Sequence, residues 1–150
     1  MTPPTYSSAA KMALAQAQFF KQGKFAVVGA SQDPSKFGYK VLKWYLNHDL
    51  PVVPINPNGR AIDNIPTLLS LSALPCASSY AISVITPPSV TRGVIAQAEE
   101  LGIRHVWLQP GAEDAEALAT ATASGMNVIA GGGVCVLVSG SEAMRAAAKL

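Results

Sequence analysis

Apolar residues in this chain gather into short continuous runs, separated by longer stretches in which they recur every three or four positions. The runs are Phe25 to Ala30, Leu50 to Ile55, Tyr80 to Ile85, His105 to Gln109 and Met126 to Ala130. Continuous rather than alternating hydrophobicity predicts strands buried on both faces. The stretches between them carry helical stripes. Ser8 to Gln22 places Ala9, Met12, Ala13, Ala17 and Phe20 on one face, broken by Gln16, and predicts a helix docked on the sheet and stopped by Gly23, after a Pro-rich start. Val41, Leu42, Tyr45 and Leu46 mark a helix ending near His48. Thr86-Pro87-Pro88-Ser89 opens another, with Val90, Val94, Ile95, Ala98 and Leu101 as its buried stripe and Gly102 at its end. Glu113 and Asp114 open the next, where acids complement the helix dipole, and Gly125 closes it.

The remaining segments are less regular. Asn56-Pro57-Asn58-Gly59 is a turn, and Pro54, lacking an N–H, predicts that the second strand loses its ladder near its end. Ile65 to Thr67 reads as a short strand and Ser70 to Leu74 as one helical turn stopped by Pro75. The run Gly131 to Gly133, the apolar Val134 to Val138 and a short helix from Ser141 finish the chain.

Strands alternating with helices imply right-handed βαβ units. The expected fold is α/β: a three-layer, Rossmann-like, doubly wound and mostly parallel sheet of about five strands, with helices on both faces. At 150 residues and 49% apolar content, one domain spanning 1–150 is expected. Such sheets bind ligands outside the carboxyl ends of their strands, at the switch point beside the first strand. The segments there are Gly29-Ala30-Ser31, Ile55-Asn56-Pro57, Thr86-Pro87-Pro88, Gln109-Pro110-Gly111 and Gly131 to Gly133.

Charge sharpens this picture. The net charge of +2 is too mild for a generic nucleic-acid binder. Up to Ile62, however, seven basic residues face only Asp33 and Asp49, a local +5, while the rest of the chain carries −3. The basic half holds the Gly29 turn, which suits a small anionic ligand. Cys76 and Cys135 have no metal-ligand spacing and read as reduced thiols of an intracellular protein. With no secretion signal and no apolar run of membrane-spanning length, the expectation is a soluble cytoplasmic protein. The Ser/Ala/Lys-rich Thr2 to Lys24 keeps a mitochondrial address open.

A turn after a first strand, followed by a helix start, offers free N–H groups and a positive dipole end to an anion. Gly29 allows close approach, Ser31 adds a hydroxyl, and Lys36 near the helix start supplies charge. The spacing matches neither a dinucleotide fingerprint, for which Ala30 and Ser31 follow Gly29 without a second glycine, nor a P-loop, whose second glycine would stand at Pro34. An NAD site expects an acid near the end of the second strand; Ile55-Asn56-Pro57-Asn58 has none, although Arg60 could meet an additional phosphate.

AVVGAS, KFGYKVLKWY, VVPINPN, the TPPSVT turn and HVWLQPGAED, taken in order from about Phe25 to about Ile129, resemble the CoA-binding-protein family, small domains similar to the CoA-binding domain of the succinyl-CoA synthetase α subunit. The resemblance implies coenzyme A or an acyl-CoA as ligand. It puts phosphates on Gly29, Ala30 and Ser31 with Lys36 assisting, and the nucleoside between Asn56-Pro57 and Thr86-Pro87-Pro88. Gln109 would face the cleft along the pantetheine arm. Two departures stand out: Asn58 occupies the place where relatives often have lysine, and the Gly131 to Leu150 tail lacks their Asp-Arg-Cys ending, so Cys135 inherits no ligand role.

No Ser/His/Asp set, carboxylate pair or metal cluster can be assembled at the strand ends, and His48 and His105 read as structural. The resulting expectation is a CoA carrier, sensor or partner module without autonomous catalysis, without metal, nucleic acid or membrane, and with a homo-oligomer or an enzyme partner left open. The alternatives are an NAD(P)-binding oxidoreductase-like protein and a CoA-ligase or transferase subunit that needs a second chain.

Overall fold

The computed structural model describes residues 8–150; the Pro-rich start lies outside them. Five parallel strands, β1 (Phe25–Val28), β2 (Val52–Ile55), β3 (Ala81–Val84), β4 (His105–Leu108) and β5 (Asn127–Ile129), form one sheet in the order β2-β1-β3-β4-β5. Five helices accompany them: α1 (Ser8–Lys21), α2 (Phe37–Asn47), α3 (Pro88–Glu100), α4 (Ala115–Ala123) and α5 (Val136–Ala147). The fold is Rossmann-like, with the sequence-predicted alternation in place.

The pleat divides the core into two halves. Phe25, Val27 and Trp107 point to the layer of α1, α2 and α5, where they meet Phe19, Tyr45 and Val136. Ala26, Val28, Ile82 and Val106 point the other way, onto Ile95, Ala98, Ala117 and Ala121 of α3 and α4. The first half is rich in aromatics: Phe19 lies edge-on to Trp107 at 5.5 Å and stacked on Phe25 at 5.7 Å. Trp44 and Tyr45 belong to this packing, and Trp44 fills the space that Gly140 of α5 leaves open.

Several expectations need correction. In α1 the buried residues are Gln16, Ala17, Phe19 and Phe20, while Ala9 and Ala13 are exposed. This helix packs against both α5 and the sheet, so its buried face is turned relative to the predicted stripe. The separate apolar run and late terminal helix merge into α5, which begins at Val136 rather than Ser141. Pro54 does not end the ladder. In a parallel strand a residue's N–H and C=O point to the same side, and the Pro54 carbonyl points outward, accepting from Leu68 N at 3.0 Å. The missing N–H therefore faces away from β1, and Ile55 still accepts from Gly29 N at 3.0 Å. Ile65 forms a bridge to Ile62 around Asp63 and Asn64, both at positive φ, instead of a strand. Val90, expected to be buried, is 51% exposed.

Candidate functional site

The strand order places β2 and β3 on opposite sides of β1, so the connections leaving β1 and β3 diverge and open a crevice between their carboxyl ends. Two glycines shape its floor. Gly29 has φ +94°, and an added Cβ would come within 3.2 Å of the Ile85 carbonyl carbon and Thr86 N. Gly38, the second residue of α2, rests on the Gly29 carbonyl so closely that a Cβ would collide with that oxygen. Close helix–strand packing is the job of the third glycine in a dinucleotide fingerprint. Gly38 performs it at a longer spacing, a role that the fixed fingerprint spacing conceals in the sequence.

Hydrogen bonding decides which groups of this turn are available. Gly29 and Ala30 both donate their N–H to Ile55 O, at 3.0 and 3.3 Å, so neither is free. Asp33 N donates to Ser31 Oγ at 3.1 Å, which leaves the Ser31 hydroxyl proton to point elsewhere. Among the described residues, the N–H groups of Ser31, Gln32, Phe37 and Gly38 have no acceptor, and no side chain caps α2. These four donors lie at the positive end of the α2 dipole. Asp33, the one acid nearby, spends its carboxylate on Ser35 N and Ser35 Oγ, at 2.9 and 2.8 Å. Those two bonds, with a smaller contribution from Lys36, hold it below the usual carboxylate range.

The other helices that begin at this edge are less suited to an anion. In α3, Pro87 and Pro88 have no N–H to give, and the Val90 and Thr91 amides are taken by Pro87 O. Asp114 caps α4 through Ala117 N at 2.7 Å, with Glu116 in the same turn. In α5, Val136 N is bound by Gln109 Oε1 at 3.0 Å and Leu137 N by Cys135 Sγ at 3.4 Å. Among the described residues α3 leaves the single N–H of Ser89 free, whereas α2 and the turn before it present four free donors with no side-chain cap.

Beside this cradle a cavity of about 370 Å³ runs between the β1 and β2 ends and the first turns of α3. Gly29, Asn56, Pro57, Thr86 and Pro87 line it, with Val90, Val94 and Gln97 along α3, and no carboxylate does. The half-exposure of Val90 has its reason here: it faces the cavity rather than the core. Asn56 is largely committed, donating from Nδ2 to Ala30 O at 2.8 Å and accepting from Asn58 N at 3.0 Å. It pins the first turn to the second. Thr91 Oγ1 lies 3.1 Å from the carbonyls of Thr86 and Pro87 and 2.8 Å from Thr86 Oγ1. A hydroxyl has one proton; given to a carbonyl, it obliges Thr86 to donate to Thr91 and leaves Thr86 an acceptor toward the cavity.

Gln109 departs from expectation. Its side chain is fully buried, donating to Ser83 Oγ at 3.3 Å and accepting from Val136 N, so it does not face the cleft. Ser83 in turn bonds Tyr45 Oη at 2.7 Å, and burial raises the Tyr45 phenol well above its ordinary range. This chain ties α2, β3, β4 and α5 together beneath the crevice. Pro88 sits on the far side of the Thr86-Pro87 ridge, with Phe37, Pro110 and Cys135. Lys36 and Arg60 are exposed, and neither makes an ion pair among the described residues, in contrast to Lys43, which pairs with Asp63 at 3.2 Å. His48 stacks on Trp44 at 4.1 Å, and His105 is paired with Asn127 at the opposite edge of the sheet, so neither belongs to the crevice.

Comparison with known proteins places this geometry. The family model described as a CoA binding domain matches residues 23–141. The α subunit of the ADP-forming acetate–CoA ligase II of Pyrococcus furiosus is 28% identical over 89 residues, which make up 59% of this chain and 19% of that protein. The match thus spans about a fifth of that relative's length. Among solved structures, a conserved hypothetical protein from Pyrococcus furiosus superposes with a TM-score of 0.71 at 34% identity, covering 77% of this chain and 97% of that one. A protein from Thermus thermophilus reaches 0.74 at 25% identity, covering 87% and 98%. No described helix is long and apolar enough to cross a membrane.

Proposed function

The chain belongs to the CoA binding domain family, and from that premise we propose that it binds coenzyme A through its nucleotide diphosphate part. The diphosphate lies on the N–H groups of Ser31, Gln32, Phe37 and Gly38 and the Ser31 hydroxyl, with Lys36 adding charge from the rim. Gly29 and Ala30 serve through their shape, since their own amides are bound to Ile55 O. The nucleoside fills the cavity bounded by Asn56, Pro57, Thr86 and Pro87, and Arg60 meets the additional ribose phosphate in place of the lysine that Asn58 replaces. The observation that carries this reading is the contrast among helix starts: α2 and its preceding turn keep four amides free against one, Ser89, at α3, beside a cavity without a carboxylate.

The module acts as a CoA carrier, sensor or partner, with the reacting groups supplied elsewhere. A ligase-subunit role is the second reading, favoured by the likeness to an acetate–CoA ligase α subunit. An NAD role is weakened by the lack of an acid to hold a ribose 2′-hydroxyl. Titration calorimetry with coenzyme A, NAD and NADP tests the proposal. Saturable binding of coenzyme A, with the other two much weaker, is expected; saturable NAD binding without coenzyme A binding overturns it.

A further inference from the structure

The Thr86-Pro87 ridge separates two depressions. On one side lies the nucleoside cavity; on the other, an open groove of about 590 Å³ that shares Ile85, Thr86 and Pro87 with it. The far wall of the groove is Phe37, Pro110 and Cys135. Phe37 is also the first residue of α2, and its unpartnered N–H belongs to the cradle. The two depressions and the cradle are therefore contiguous.

The chemistry of the groove differs from that of the cradle. Rings and aliphatic carbons of Phe37, Ile85, Pro87, Pro88 and Pro110 make its surface, and no charged side chain lines it. Its polar side-chain atoms are few: Thr86 Oγ1, already engaged with Thr91, and Cys135 Sγ, already accepting from Leu137 N. Lys36, the nearest cation in sequence, stands at the α2 cap beside the cradle. A carboxylate entering the groove would lose water and gain no partner, whereas an alkyl chain would cover apolar surface.

We infer that this groove receives the thiol-bearing arm of the ligand and selects thioesters of uncharged, apolar acyl groups over free coenzyme A and over carboxylated acyl groups. This rests on the coenzyme A reading above, because the arm reaches the groove only if the diphosphate occupies the α2 start.

The experiment is a calorimetric series with coenzyme A and its acetyl, butyryl, hexanoyl and succinyl thioesters, with oligomeric state followed by sedimentation. Each added methylene should tighten binding by up to roughly fourfold, the equivalent of about 0.8 kcal/mol per buried CH2. Succinyl-CoA should bind more weakly than butyryl-CoA, and Pro110→Lys, which adds a cation at the exposed lip, should narrow or reverse that order. Equal affinity for all five ligands overturns the inference while leaving coenzyme A binding intact. So does a ligand-free dimer whose affinity is indifferent to chain length, because a second copy would then cover the groove. Failure of every ligand to bind overturns both readings.

Discussion

Gly38, the second residue of α2, lies against the carbonyl oxygen of Gly29, the residue just past the end of β1, and no larger side chain fits between them. That contact sets where the α2 amides end up. It also separates two effects of substitution, one on packing and one on the anion.

Gly38→Ala inserts a methyl group into the Gly29 carbonyl and pushes α2 away from β1. Overpacking of this kind costs about 1–3 kcal/mol. Denaturant unfolding should show that loss, together with weakened coenzyme A binding, whereas Gly93→Ala, with open space around its Cα, should show neither.

Ser31→Ala keeps the backbone but removes the hydroxyl, whose proton is free while its oxygen accepts from the exposed Asp33 N. A hydrogen bond to a charged group is worth about 1.5–3 kcal/mol, so coenzyme A affinity should fall roughly tenfold to a hundredfold. Thermal stability should change little. Lys36→Ala should act differently: a smaller loss of affinity that shrinks as salt is raised, since Lys36 is exposed and its charge is screened.

Gln109→Leu tests the buried chain that runs from Tyr45 through Ser83 and Gln109 to the start of α5. Leaving Val136 N without an acceptor should cost about 1–3 kcal/mol of folding stability. Gln109→Glu should cost more, because it buries a charge as well as losing the donor to Ser83. Coenzyme A affinity of the Leu variant should stay close to that of the parent, measured at a temperature where it is fully folded.

The alternation of strands and helices was legible because parallel strands buried on both faces need continuous apolar runs, and FAVV, AISV and HVWL provide them. What escaped was set by direction rather than by hydrophobicity. Pro54 is harmless because its nitrogen faces away from β1, and Gln109 points into the core rather than the cleft; neither orientation is written in residue type. Phe19 is buried because α1 has two packing partners, which one stripe does not reveal. Of the expected site, the β1 turn, Asn56-Pro57 and Thr86-Pro87 do converge on the crevice. Gly38 was hidden by its spacing, and the capture of the Gly29 and Ala30 amides by Ile55 depends on a register that only the folded sheet defines.

His105 gives a pH dependence. Burial, then the Arg104 charge, lowers its pKa from the ordinary 6.5. The amide protons of Asn127 Nδ2 serve Ala15 O at 2.9 Å and His105 Nδ1 at 3.1 Å, an arrangement that requires neutral imidazole. The folded state binds the proton less readily than the unfolded one, so stability is full above about pH 6.5 and is lost as pH falls through the lower folded value. The melting temperature should drop between pH 7 and pH 5. His105→Gln, which keeps an acceptor for Asn127 without titrating, should flatten that slope.

The seat of the diphosphate is tested most directly by amide chemical shifts of ¹⁵N-labelled protein titrated with coenzyme A. The largest shifts should fall on Ser31, Gln32, Phe37 and Gly38, with Ala115 at the capped start of α4 nearly unmoved. Binding that shifts the starts of α3, α4 or α5 and leaves those four amides unchanged would contradict the account.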